Sequence, residues 1–174
     1  MKSTAHVNGH PIHPMLIPYP FALLTGGAAF DVAARMTGRD AWSQTGAHMS
    51  TVGLGAALVA AVPGIVDYFG TIPRRSSAKR TATQHALFNL SALACFAFAR
   101  TTREDDHRVS KTGLAAALIG TGLLCMGGVL GGTLIYKEHV GVDEDESSAQ
   151  LAPGQSARRE ELHGEGRDVL AHGL

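Results

Sequence analysis

The chain has 174 residues, 45% hydrophobic and only 17% charged, with a formal net charge of zero. The length fits one domain with a tail, and the balanced charge offers no basic surface for nucleic acid. The charges are gathered between long uncharged runs, which is the pattern of membrane spans and not of a water-soluble core.

The chain opens with a polar stretch ending in Gly9-His10-Pro11-Ile12-His13-Pro14, which runs into Met15-Leu16-Ile17-Pro18-Tyr19-Pro20. Four of the seven prolines lie in these first twenty residues. Proline fixes φ and biases the residue before it toward extended backbone. Two imidazoles, His10 and His13, therefore hang from a stiff entry to an apolar run. No secretory signal is expected, because residues 1–14 are polar and further spans follow.

Residues 15–34 form the first predicted span, matching the roughly 20 helical residues that cross a bilayer core. Pro18 and Pro20 suit a helix start. Asp31 lies near its far end, four residues before Arg35, and the expectation is a structural acid, either solvated or paired along the helix. Met36 to His48 reads as a polar connection, with Trp42 at the interface. Residues 49–69 form the second span, with Pro63-Gly64 loosening it and Asp67-Tyr68 at its end.

The connection from Gly70 to Gln84 carries Arg74, Arg75, Lys79 and Arg80 and no acid. The third span, residues 83–101, is the least apolar. It opens at His85, contains Asn89 and ends at Arg100, which can snorkel to the interface. A charged turn over residues 101–112 leads to the fourth span, residues 113–136. Its Gly127/Gly131 and Gly128/Gly132 pairs have the spacing that lets helices pack closely, including those of a second copy in a homo-oligomer. Cys95 and Cys125 lie inside apolar runs and read as small buried hydrophobes, not as a disulfide or a metal pair. No repeat of fixed period is evident. Residues 143–174 are acidic and poor in aromatics and read as a disordered tail after a four-span domain over residues 1–142.

The predicted fold is an all-α integral membrane four-helix bundle with neighbouring helices antiparallel. Four crossings return both termini to one side. His10, His13, His85 and His139 then share one rim with Asp67 and Tyr68, while His48 and His107 fall on the other. Imidazole is the usual ligand for haem iron, copper and zinc. His13 and His85 are the expected axial ligands of a haem b, with His10 and His139 next and Asp67 orienting an imidazole N–H. The glycines of span four, Tyr68 and Phe88 would line the slot. Copper or zinc at the same histidines, or no cofactor at all in a non-catalytic scaffold or accessory subunit, are the alternatives. No c-type haem motif, CxxC, nucleophile elbow or phosphate loop is present. Transport is disfavoured, since Asp31 is the lone charge deep in a span.

His10-Pro11-Ile12-His13-Pro14-Met15-Leu16-Ile17-Pro18 with Phe30-Asp31 resembles the bacterial membrane family called domain of unknown function 2231. Pro63-Gly64-Ile65-Val66-Asp67-Tyr68, His85 with Asn89, and Gly131-Gly132-Thr133-Leu134-Ile135-Tyr136 with His139-Val140-Gly141-Val142 are similar to its later signatures. The resemblance covers about residues 8–142. It implies a four-span protein of the inner membrane whose partners are the lipid bilayer and, if relatives fused to Rieske-type domains are a guide, a redox protein. The bases near the spans divide evenly between the two sides. The acid-free 70–84 loop favours cytoplasmic termini.

Overall fold

A computed structural model of the chain describes residues 1–103 and 107–141. The predicted acidic tail lies outside the described residues. The chain begins with a small antiparallel hairpin, β1 (His6–Val7) and β2 (His10–Pro11). Asn8 and Gly9 turn it with φ of 50° and 83°, the two left-handed residues that a tight hairpin turn requires.

Helix α1 (Ile12–Leu16) runs into α2 (Pro18–Thr37) through Ile17, which keeps helical φ and ψ. The boundary exists because Pro18 and Pro20 carry no N–H to close the ladder. Gly38, at φ 70°, ends α2 by donating to Ala34 O. Helix α3 (Asp40–Gly70) then starts nine residues before the expected second span. The stretch from Asp40 to His48 is therefore helix and not connection. Its polarity ends the apolar run without ending the helix. Trp42 stacks on Phe30 across the hairpin, ring centres 5.0 Å apart.

Helices α4 (Ser77–Thr101) and α5 (Lys111–Tyr136) form the second hairpin. Each starts at a serine whose Oγ accepts a backbone N–H, Ser76 from Lys79 and Ser110 from Gly113. Residues 12–37, α3 and α5 are each long and apolar enough to cross a membrane. Helix α4 is less apolar, and at 25 residues it is about 37 Å long, enough to run the bundle's height beside them.

Helix α2 packs along α3 and α4 along α5, and the two hairpins meet through α3 with α4 and α2 with α5. Between them lies a core centred on Leu24 and Phe96, with Ala28, Ala92, Ala99, Ala117 and Leu124. Large apolar side chains such as Val52, Leu58, Val62, Leu118, Ile119 and Val129 are exposed. Apolar faces turned outward around a core of small residues suit lipid as the solvent. Cys95 and Cys125 are both free thiols, but neither is fully buried as expected: Cys95 is half-buried and Cys125 is exposed, on an apolar helix face turned outward.

Candidate functional site

His13, on α1, and His85, on α4, come together at one end of the bundle. Their ring centres are 6.1 Å apart and the ring planes stand at 88°. Each ring is fixed in the same way. His13 Nδ1 lies 2.7 Å from Ala60 O on α3, and His85 Nδ1 lies 2.8 Å from Gly127 O on α5. A carbonyl can only accept, so both Nδ1 atoms carry the proton and both Nε2 atoms are left with a lone pair. Asn89 Nδ2 is 3.4 and 3.3 Å from the two nitrogens of His85. Near-equal distances to the two nitrogens put it out of line with the Nε2 lone pair. Asn89 donates instead to His85 O at 2.8 Å.

Two glycines make room for the rings. A methyl on Gly64 would fall 2.8 Å from His13 Cε1, and one on Gly131 would fall 3.1 Å from His85 Cε1. Gly64 is four residues after Ala60, and Gly131 is four after Gly127. In both cases one turn of helix supplies a carbonyl for the ring and a gap to hold it. On α3 the adjoining Pro63 removes the N–H that would bond Val59 O, which loosens the ladder beside Ala60.

The correspondence extends through both hairpins. Advancing α1–α2 by 72 places carries His13 to His85, Leu24 to Phe96, Gly27 to Ala99 and Asp31 to Arg103. Advancing α3 by 67 places carries the buried Gly46, Ser50, Gly53, Ala57 and Ala60 onto the buried Gly113, Ala117, Gly120, Leu124 and Gly127. Leu24 sits where a methyl on Gly53 would be 2.9 Å away, and Phe96 where one on Gly120 would be 3.0 Å away. The bundle is thus two copies of one hairpin related by a pseudo-twofold axis along the bundle, the arrangement of a parallel repeat. Corresponding residues that touch must straddle that axis. His13 and His85 do so at one rim.

Asp31 and Arg103 do so at the other. Arg103 Nη1 and Nη2 bond Asp31 Oδ1 and Oδ2 at 2.9 and 2.6 Å, with both side chains almost wholly buried. The partner of Asp31 is therefore Arg103 from the other hairpin, not Arg35 one turn along its own helix, which is exposed.

Around the histidines lies an apolar cavity of about 510 Å³, within the roughly 300–1,000 Å³ of cofactor and small-molecule sites. Its lining repeats the pseudo-symmetry: Ala57 and Leu124, Ala61 and Gly128, Ile65 and Gly132, Phe21 and Leu93 face it in corresponding pairs. The two glycine pairs of α5 divide their work inside the chain. Gly127 and Gly131 admit Asn89 and His85, and Gly128 and Gly132, with Gly131, line the cavity.

The other expected residues are placed differently. His10 is exposed in β2 and His139 is exposed in a turn at φ 51°, and neither lines the cavity. A strand at His10 and a helix at His13 keep those two rings off a common face. Asp67 lines the cavity, but its carboxylate is engaged by the N-terminal segment: Ser3 Oγ at 2.8 Å, Thr4 N at 2.9 Å and Ala5 N at 3.1 Å, with Thr71 Oγ1 at 2.8 Å. It ties down residues 3–5, and the imidazoles are oriented by backbone carbonyls instead. Tyr68 lines the cavity and Phe88 does not. Among the described residues no group of three or more His, Cys, Asp or Glu side chains converges on a point where a metal could sit.

A family model described as "Predicted membrane protein (DUF2231)" matches residues 9–144. The chain belongs to that family, and it is an integral membrane protein. No curated protein and no solved structure matches it.

Proposed function

We propose that this membrane protein is a small cytochrome, holding a b-type haem between His13 and His85 near one membrane face and exchanging electrons there with a partner protein. The observation that carries this reading is the histidine pair itself. Two imidazoles bonded on opposite sides of one metal at about 2.0–2.1 Å each would have ring centres about 6 Å apart; here they are 6.1 Å apart. That separation leaves room for one metal ion that both rings would hold.

Both Nδ1 protons are committed to carbonyls, which fixes the tautomer that presents Nε2 as a ligand. The cavity extends away from the pair on two pseudo-equivalent sides, as a flat macrocycle between the rings would need. When bound, such a haem would supply one-electron transfer, with His13 and His85 as the residues that would hold it. The residues of this chain hold the rings, exclude water with an apolar lining and set the distance of the redox centre from the rim. Two histidines with no third ligand among the described residues favour this over a copper or zinc site. The protein would lie in the inner membrane with both termini cytoplasmic, which protease accessibility of the tail in oriented vesicles tests.

The deciding measurement is an absorption spectrum, with metal analysis, of full-length protein purified from haem-replete cells. A Soret band that is lost in both His13→Ala and His85→Ala supports the cytochrome. Colourless, metal-free protein would leave the scaffold or accessory-subunit reading.

A further inference from the structure

The pseudo-symmetry of the cavity fails in one mechanical respect. Two corresponding segments wall it: His13, Pro14 and Ile17 in the first hairpin, and His85, Ala86 and Asn89, 72 places on, in the second. The later segment lies well inside the unbroken helix α4. The earlier one is α1 and the residue that ends it, and α1 is a helix of five residues with no buried side chain. Pro18 and Pro20 follow it, and neither has an N–H to bond a carbonyl of α1, so the ladder is weakened where α1 meets α2. A helix of one turn is not stable by itself. Of the two facing imidazoles, His85 is therefore carried by a fixed wall, and His13 by a segment that other contacts must hold.

Besides the bond of His13 to Ala60 O, those contacts run through the N-terminal hairpin. Ile12 N donates to Ala5 O at 2.9 Å. Asp67 then gathers residues 3–5: Ser3 Oγ lies 2.8 Å from both carboxylate oxygens, and Thr4 N and Ala5 N donate to Oδ1. Thr4 also meets Thr71 Oγ1, with its N–H at 2.9 Å and its hydroxyl at 3.0 Å. Gly70 makes room for it, since a methyl there would fall 3.0 Å from Thr4 Oγ1. Gly141 N adds a bond to Met1 O at 2.7 Å. Asp67 sits in the last turn of α3, where the helix macrodipole disfavours an acid. The donors of residues 3–5 offset that penalty, so the acid's placement serves the clasp. Residues 6–10 are exposed. A segment held by hydrogen bonds at a rim, with no buried side chain in its helix, opens at lower free energy than the packed core beneath it.

We propose that residues 3–17 are a hinged flap over one end of the cavity, that Asp67 is its latch, and that the cofactor enters when the flap lifts. This rests on the reading of the cavity as a cofactor site and adds the route of entry. It also makes Asp67 a positioning residue, which acts on the site through the segment that carries His13. The hinge is Ile17–Pro18, at the end of a helical element, where such motions are absorbed. Lifting takes Pro11, His13 and Pro14 out of the wall together and leaves His85 in place. His85 is thus ready before closure, and His13 arrives with the flap.

The test has two arms, both on full-length protein in detergent prepared without cofactor. The first is hydrogen exchange. The amides of Thr4, Ala5, Ile12 and Ile17 are all bonded, within the flap or to its latch. In wild type they should exchange together, at least tenfold faster than the amides of residues 85–89. Asp67→Ala should speed all four at least tenfold, including Ile12 and Ile17, whose amides bond elsewhere. Asp67→Asn, which keeps an acceptor for Thr4 and Ala5, should give a smaller rise. Acceleration confined to Thr4 and Ala5 means that the segment does not move as a unit, and overturns the proposal.

The second arm combines Thr4→Cys with Thr71→Cys, at positions whose hydroxyls lie 3.0 Å apart, and oxidises the pair. The cross-linked protein should take up iron protoporphyrin IX at least tenfold more slowly than wild type, and reducing the bridge beforehand should restore the rate. Uptake at the wild-type rate with the bridge intact means entry from the lipid side, and overturns the proposal while leaving the cofactor reading intact. Failure of wild type to bind iron protoporphyrin IX overturns the cofactor reading, and the exchange arm alone then decides the flap. If Asp67→Ala does not fold, Asp67→Asn and the cross-link decide.

Discussion

Asp31 and Arg103 pair across the bundle, and each lies eighteen residues beyond a histidine of the opposite rim, Asp31 beyond His13 and Arg103 beyond His85. At about 1.5 Å per residue the two contacts are roughly 27 Å apart along the helices. The pseudo-twofold axis is therefore pinned at both ends by residues in corresponding positions. At one end the pair is chemically alike, and at the other it is oppositely charged.

Breaking the ion pair should be costly, because it leaves a lone charge in a low-dielectric interior. Arg103→Met is expected to lower stability by about 3–5 kcal/mol. Adding Asp31→Asn should recover more than half of that loss, since the orphaned charge is then gone. Arg35→Ala should change little. Reversible denaturation in detergent reads all three. Simple additivity of the two core substitutions would show that the side chains act independently and would remove the pair from the account.

His13→Ala and His85→Ala should be equivalent in effect, because each hairpin contributes one ring held by one carbonyl. Each should abolish the cofactor band, whereas His10→Ala and His139→Ala should leave it within a few per cent of wild type. The check is the Soret absorbance per protein. Loss of the band in His139→Ala, or its retention in either cavity variant, would contradict the geometry.

Much of this was legible in the residues. Three apolar runs of span-like length and a shorter one extended by its flanking residues gave the four helices, and an even number of crossings brought His13 and His85 to one rim. Polar residues 40–48 hid the start of α3, because hydropathy reports lipid contact and not helix. His10 stays out of the cavity because Asn8-Gly9 makes a hairpin turn that puts it in a strand. Asp67 was given to an imidazole because the N-terminal backbone, whose N–H groups it binds, leaves no side-chain signature. The repeat escaped notice for a physical reason. The first hairpin has five more residues in its turn region, so its two helices are offset by 72 and 67 places and no single period exists. Lipid and small-residue packing constrain size at these positions and leave chemical identity free. The histidine pair and the buried small-residue spacing of α3 and α5 were the available signals.

The glycines beside the rings should be intolerant of a methyl group, in a graded way. Gly64→Ala would place a carbon 2.8 Å from His13, and Gly131→Ala one 3.1 Å from His85. Both should weaken cofactor retention, Gly64→Ala more. Gly55→Ala and Gly122→Ala meet nothing within 4 Å and should be neutral or stabilising by up to about 1 kcal/mol, from helix propensity alone. Thermal unfolding and cofactor loss measured on the four variants give the ranking. A neutral Gly64→Ala would mean that the ring is free to move.

The last expectation concerns the centre of the bundle, where Leu24 fills the space over Gly53 and Phe96 the space over Gly120. In water, Phe→Ala in a core costs about 3–5 kcal/mol, part of which is transfer of the apolar side chain out of water. In lipid that part is absent, because the tails are as apolar as the core, and only packing is lost. Phe96→Ala should therefore cost less than about 3 kcal/mol, at or below the low end of the range for soluble proteins. Gly120→Ala should be as damaging as Phe96→Ala, since the ring has nowhere to go, and Phe96→Leu with Gly120→Ala should recover part of the loss by reproducing a smaller contact. Unfolding free energies for the three variants check this. If Gly120→Ala is harmless while Phe96→Ala is severe, the helices are not in close contact at that level, and the matched packing of the two hairpins there is wrong.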